Sequence, residues 1–153
     1  MPNFVLDPIH SVSSVPLRVR FGETDLMGIV HHGSYVLYFE AARVSWLRRR
    51  GVTYRTWATT GIHLPVVDIA IEYKRPARFE DELIVETTLS KVTAATLTFS
   101  YRILREGQLL TTGHTRLACV SDEVDGEVRV RRIPDSMKSV LVLPEDSRLT
   151  SMP

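Results

Sequence analysis

The stretch Ser34-Tyr-Val-Leu-Tyr-Phe-Glu-Ala-Ala-Arg-Val-Ser-Trp-Leu-Arg-Arg-Arg50 decides the fold. It holds neither proline nor glycine, and its composition favours a helix. Tyr35, Val36, Leu37, Tyr38, Phe39, Ala41, Ala42, Val44, Trp46 and Leu47 wrap nearly all round that helix. A helix apolar on every side belongs in a core, not on a surface. Ser34 suits the N-cap. Arg48, Arg49 and Arg50 place cations at the negative C-terminal end of the dipole, and Gly51 suits a left-handed cap. The triple arginine therefore reads as a helix end rather than a nucleic-acid patch.

On either side the period changes. Upstream, Leu17–Gly22 alternates, with Leu17, Val19 and Phe21 set against Arg18 and Arg20, as a short strand does. Gly22 to Gly33, rich in glycine and carrying Glu23, Asp25 and the adjacent His31 and His32, reads as a loop. Downstream, Leu64–Tyr73, Glu82–Val92, Ala95–Arg105, Leu109–Ser121 and Glu127–Arg132 are strand-like. Glu106-Gly107 and Asp125-Gly126 supply hairpin turns, and Pro134–Val142 suits a short closing helix. A strand, a buried helix and then a run of long antiparallel strands predict an α+β fold, a curved antiparallel sheet wrapped around one long central helix. Leu109–Ser121 carries apolar residues on both faces, Leu117 and Cys119 against Ala118 and Val120. The outer face is thus expected to meet something other than water, most economically a second copy of the chain.

The 153 residues suit one domain, of a size that buries roughly 70% of its unfolded surface. An irregular arm is expected over residues 1–16, an ordered body over 17–143 and a polar tail over 144–153. Nineteen Lys and Arg against 18 Asp and Glu leave a formal charge of +1, which argues against a dedicated nucleic-acid binder. The single cysteine, Cys119, excludes an intramolecular disulfide and a cysteine-cluster metal site. The longest apolar run, Tyr35–Leu47, is broken by Glu40, Arg43 and Ser45, so no membrane span is expected. Residues 1–16 lack the pattern of a signal peptide, and the expected location is cytoplasmic.

The chemistry concentrates just before the helix. Asp25 sits in a glycine-flanked loop, and free N–H groups near His32, Gly33 and Ser34, at the positive end of the dipole, suit a developing oxyanion. Asp25 suits a nucleophile or a base toward water, and His32 suits orienting a substrate or moving a proton. The same residues also fit a turn-forming Asp with space-filling histidines, and spacing alone leaves both readings open. No metal site is expected, because adjacent histidines point differently and His10, His63 and His114 lack ligand spacing. The serines lack a nucleophile elbow. Cys119 reads as a small apolar residue of a strand.

The run Thr24-Asp-Leu-Met-Gly-Ile-Val-His-His-Gly-Ser-Tyr35, continued by Tyr38-Phe-Glu-Ala-Ala-Arg43, resembles the signature of the hotdog-fold acyl-CoA thioesterases. The likeness is to the 4-hydroxybenzoyl-CoA thioesterase type and, within it, to the bacterial Tol–Pal-associated branch. Ile71–Leu83 and Ala118-Cys119-Val120 resemble later parts of the same pattern, so the likeness runs from about Leu17 to Val140. The resemblance implies a sheet around a long helix, active sites at a dimer interface, and a homodimer or homotetramer. It implies hydrolysis of acyl-CoA without metal or cofactor. Its essential carboxylate falls on Asp25, its carbonyl-polarising amide and a histidine fall on His32, and Gly33, Ser34 and Tyr35 complete the substrate-orienting turn. Glu40 and Arg43 are expected to hold the helix in place.

Two departures stand out. Many relatives carry an aromatic residue where this chain has His31. Thr93-Ala94-Ala95-Thr96 lacks the cations that some relatives use for CoA phosphates, which leaves Lys74, Arg75, Arg78 and Lys91 as candidates. Asp25 speaks against a non-catalytic acyl-thioester-binding module, whereas acyl carrier protein thioesters stay open beside CoA as substrates.

Overall fold

The computed structural model describes residues 11–150, so residues 1–10, with His10, and residues 151–153 lie outside the account. Strand β1 (Val12–Arg18) leads through a short 3-10 turn, Phe21–Glu23, and a loop into α1 (Ser34–Arg48). A short helix α2 (Tyr54–Ala58) and strand β2 (Ile62–His63) follow. Then come β3 (Val66–Tyr73), β4 (Glu82–Val92), β5 (Thr96–Arg105), β6 (Gln108–Ala118) and β7 (Val120–Ser121). The described chain closes with α3 (Asp135–Leu141) and α4 (Ser147–Thr150). Five strands form one sheet in the order β1-β4-β5-β6-β3, all neighbours antiparallel, and β2 pairs with β7 beside it. This is the expected sheet curved around one long helix.

Alternation explains the core. Leu83, Val85 and Leu89 of β4, Leu97, Phe99, Tyr101 and Ile103 of β5, and Leu110 and Leu117 of β6 are buried on one face. Phe39, Ala42, Trp46 and Leu47 of α1 pack into the same core. Phe39 stacks on Tyr101 at 4.2 Å between ring centroids, and Trp46 meets Phe99 edge-on at 5.2 Å. Arg43 is buried beneath the helix, donating to the hydroxyls of Tyr54 (3.0 Å) and Tyr101 (3.2 Å). It holds α1 in place as expected, whereas Glu40 stays exposed on the helix surface.

Several expectations need correction. Val12–Pro16, expected in an irregular arm, pairs with Thr88–Ile84 of β4. Pro16 is tolerated because β1 is an edge strand. Glu127–Arg132 is not a strand, because its backbone bonds are scattered and form no ladder: Glu127 pairs with Val124 across a turn, Arg129 accepts from Ser121 and Arg131 donates to Cys119. Ser34 is the first helical residue and Gly33 the N-cap, since the Ser34 hydroxyl donates to the Glu23 carbonyl (3.1 Å) instead of capping. Helix α2 was not anticipated, although Thr53 caps it through the Thr56 N–H (3.2 Å).

The C-terminal residues expected as a polar tail are tied to the body. Arg49 donates to the Glu145 carboxylate (3.1 Å), and the Asp146 N–H donates to the Arg49 carbonyl (2.8 Å). Arg50 lies over the Trp46 ring at 3.7 Å, so the triple arginine is a helix end that is largely buried.

The apolar surface also lies elsewhere than expected. Ala118 and Val120 are buried by their own chain, Ala118 N–H bonding to Pro65 and Val120 pairing with His63. The helix is not covered all round, since Val36 and Leu37 are exposed. So are Val66, Val67 and Ile69 of the edge strand β3. Among the described residues, no helix is long and apolar enough to cross a membrane.

Candidate active site

The loop before α1 is a tight reverse turn. Gly28 N–H donates to the Asp25 carbonyl and Asp25 N–H to the Ile29 carbonyl, each at 2.9 Å. Gly28 takes φ +75°, a left-handed value that glycine adopts without strain. Asp25 Oδ1 accepts the Met27 N–H at 2.8 Å, the Asx-turn habit of aspartate. The returning limb is pinned to the connection before β4, with Val30 N–H bonded to the Ala77 carbonyl (2.8 Å) and Ile29 bridged to Arg78. One carboxylate oxygen of Asp25 is thereby fixed, and Oδ2 has no protein partner among the described residues.

The start of α1 is the second half of the site. Ser34 N–H donates to the His31 carbonyl (2.9 Å), and Gly33 N–H to His31 Nδ1 (3.1 Å). Among the described residues the N–H groups of His32 and Tyr35 find no acceptor. They stand at the positive end of the helix dipole, where an unengaged donor favours negative charge. The His32 carbonyl is held by the Tyr73 hydroxyl at 2.8 Å, which fixes the peptide next to the free amide. Tyr73 in turn meets the buried Tyr35 ring edge-on at 5.1 Å. Burial pushes the Tyr35 phenol above its ordinary pKa, so it stays protonated.

Asp25, His32 and Tyr35 face one cavity of about 390 Å³, walled by Ile29, Val30, Tyr73 and Pro76, with Lys74 and Arg75 also lining it. A carboxylate, a free amide at a helix start, an apolar wall and two cations suit attack on a carbonyl carbon attached to an anionic group. Among the described residues, no three His, Cys, Asp or Glu side chains gather in a way that would hold a metal ion.

The sequence candidates thus separate. Asp25, His32, Tyr35, Lys74 and Arg75 come together at the cavity, while Gly33 and Ser34 form its helix start without lining it. Arg78 stands beside it through its bridge to Ile29. Lys91 does not reach it within the chain. The row at the cavity is Val85, Ile103, Thr111 and Tyr73, whereas Lys91 pairs with Thr98, in the row of Arg116 and Asp68. Five residues along β3, β5 and β6 separate the two rows by about 17 Å. Tyr73 was not singled out from sequence; its one signal was its place at a strand end, directly before Lys74-Arg75-Pro76.

Comparison with known proteins agrees with this architecture. The family model described as Thioesterase-like superfamily matches residues 19–141. The chain is 36% identical over 108 residues to the acyl-CoA thioesterase YbgC of Haemophilus influenzae, covering 70% of this chain and 79% of that one. The crystal structure of a hypothetical protein from Thermus thermophilus superposes with a TM-score of 0.78 at 41% identity, covering 84% of this chain and 96% of that one. A DHNA-CoA thioesterase from Staphylococcus aureus superposes with a TM-score of 0.74 at 30% identity, covering 82% of each chain. Because the family match spans four of the five strands of the large sheet, the central helix and both halves of the cavity, this chain belongs to the Thioesterase-like superfamily and has the hotdog fold.

Proposed function

We propose that the protein is a thioesterase that hydrolyses acyl-CoA to a carboxylic acid and CoA at the cavity between Asp25 and the start of α1. The observation that carries this reading is the pairing of two unengaged groups around one cavity, Asp25 Oδ2 and the His32 N–H. The thioester carbonyl oxygen would accept from the His32 N–H, and the dipole of α1 would stabilise the charge that grows there. Asp25 either takes a proton from water as it adds to the acyl carbon or adds itself to form a mixed anhydride that water then opens. In both routes a C–O bond forms, the C–S bond breaks, and the CoA thiolate leaves and is protonated. The His32 side chain borders the same cavity and is placed to orient the acyl group or pass that proton. Lys74 and Arg75 are the first candidates for CoA phosphates, with Arg78 beside them.

The working unit is a homodimer, or a homotetramer built from two such dimers. An apolar exposed edge strand invites pairing with a second copy, and β3 presents Val66, Val67 and Ile69, with Val36 and Leu37 exposed on α1. Tyr73 ends that same strand and lines the cavity, so a partner on β3 would stand beside the site.

The direct test is a panel of short, long and aromatic acyl-CoAs, with released thiol measured by a colorimetric reagent and acyl carrier protein thioesters run in parallel. Steady turnover of at least one acyl-CoA is expected. Ligand binding without turnover across the panel would favour a binding module, and turnover of carrier-protein thioesters alone would change the substrate class.

A further inference from the structure

Glu23 stands two residues before Asp25 and is 8% exposed. A carboxylate is costly to bury unless its lone pairs are met. Here they are met from different parts of the site. Oε1 accepts the Arg20 N–H at 2.8 Å and the Tyr38 hydroxyl at 3.0 Å. Oε2 accepts Arg20 Nε at 3.0 Å and Nη2 at 2.8 Å. The backbone carbonyl of Glu23 accepts the His31 N–H at 2.8 Å and the Ser34 hydroxyl at 3.1 Å. Arg20 lies before the 3-10 turn, Tyr38 belongs to the body of α1, and His31 and Ser34 flank the peptide groups of His32 and Gly33. One residue therefore grips the chain leading to Asp25, the helix start and the helix body.

We infer that Glu23 is a positioning residue, whose carboxylate and carbonyl together set the spacing between the Asp25 carboxylate and the His32 N–H. The inference rests on the thioesterase reading of the site. Glu23 is not among the residues that line the cavity, so it acts through its neighbours and not on substrate. Burial pushes the Glu23 carboxyl upward, but its bonds from Arg20 and Tyr38 prevail and hold its pKa below the ordinary value. The Tyr38 phenol is pushed up by burial and by Glu23, which keeps it a donor. Bonds to an ionised acceptor are the stronger kind, and misplacing reacting groups by about 1 Å costs on the order of 10² in rate.

The test measures kcat and KM for acyl-CoA hydrolysis, with thermal melting, for wild type, Glu23→Gln, Arg20→Gln and Tyr38→Phe. Glu23→Gln keeps the shape and removes the charge, and Arg20→Gln alters an exposed side chain without touching the core. Below the melting transition, kcat of Glu23→Gln is expected to fall ~10- to 100-fold with KM within about twofold. Arg20→Gln should fall less, in the same pattern. Lower melting temperatures with wild-type kcat in the folded variants would overturn the inference and leave Glu23 a structural residue. If Glu23→Gln fails to fold, Arg20→Gln and Tyr38→Phe decide by the same split. A wild type that turns over no acyl-CoA would instead overturn the thioesterase reading, and the positioning role with it.

Discussion

A Cβ on Gly113 would lie 2.7 Å from the Ala70 carbonyl oxygen and 2.7 Å from Phe39 Cε2. The glycine lets the Phe39 ring lie against β6 while it stacks on Tyr101, so this one position sets how closely the helix approaches the sheet. Gly113→Ala should destabilise the fold by ~1–3 kcal/mol through overpacking, read from the midpoint of urea unfolding. Tyr73 makes a different kind of single contact, its hydroxyl fixing the His32 peptide at 2.8 Å. Tyr73→Phe keeps the ring and loses that bond, so kcat should drop about fivefold, the rate equivalent of ~1 kcal/mol, with the melting temperature unchanged.

Carboxylates stitch the elements together, and that gives the fold a sign under acid. Asp81 accepts from Arg105 Nη1 (2.7 Å) and Arg78 N–H (2.8 Å), tying the connection before β4 to β5. Glu145 ties the C-terminal segment to the end of α1. Burial raises the pKa of Asp81, Glu145 and Glu23, but their hydrogen bonds and cations prevail, so all three sit below their ordinary values. Their stabilisation is present above the ordinary carboxylate range, about pH 4, and is lost as pH falls below it. Melting temperature measured from pH 7 down to pH 3 should therefore decline, most steeply below about pH 4, and a flat profile would contradict these pairings.

What was legible at this scale follows from periodicity. β4 is legible to both ends because Leu83, Val85 and Leu89 alternate with less buried residues, and the Glu106-Gly107 turn because Gly107 takes a positive φ without strain. Helix α2 and the fate of Glu127–Arg132 were not legible, since both depend on which distant backbone groups remain to be bonded. For Asp25 and His32 spacing leaves a turn and a site both open and only the resemblance singles them out, while the fold brings both to one cavity. Glu23 and Tyr73 were not legible, because what they do is hold groups that only the fold brings near.

At the scale of the whole molecule, the exposed apolar surface argues for a second copy. Ala118 and Val120, the outer face that the sequence pattern offers to a partner, are buried by the chain itself. The exposed apolar residues lie instead on β3, whose last residue Tyr73 lines the cavity, and on α1. Ile69→Lys places a charge on that edge. Sedimentation should then shift from the assembly to the monomer mass with the far-ultraviolet spectrum unchanged, and kcat should fall with it. A monomeric wild type at full activity would contradict this arrangement.

The central claim is that Asp25 drives hydrolysis of the thioester. It is tested most directly by Asp25→Asn, assayed in single-turnover conditions on the acyl-CoA that wild type turns over best. The account predicts a rate at least about 10²-fold lower with folding and assembly intact, and a wild-type rate in that variant would contradict it.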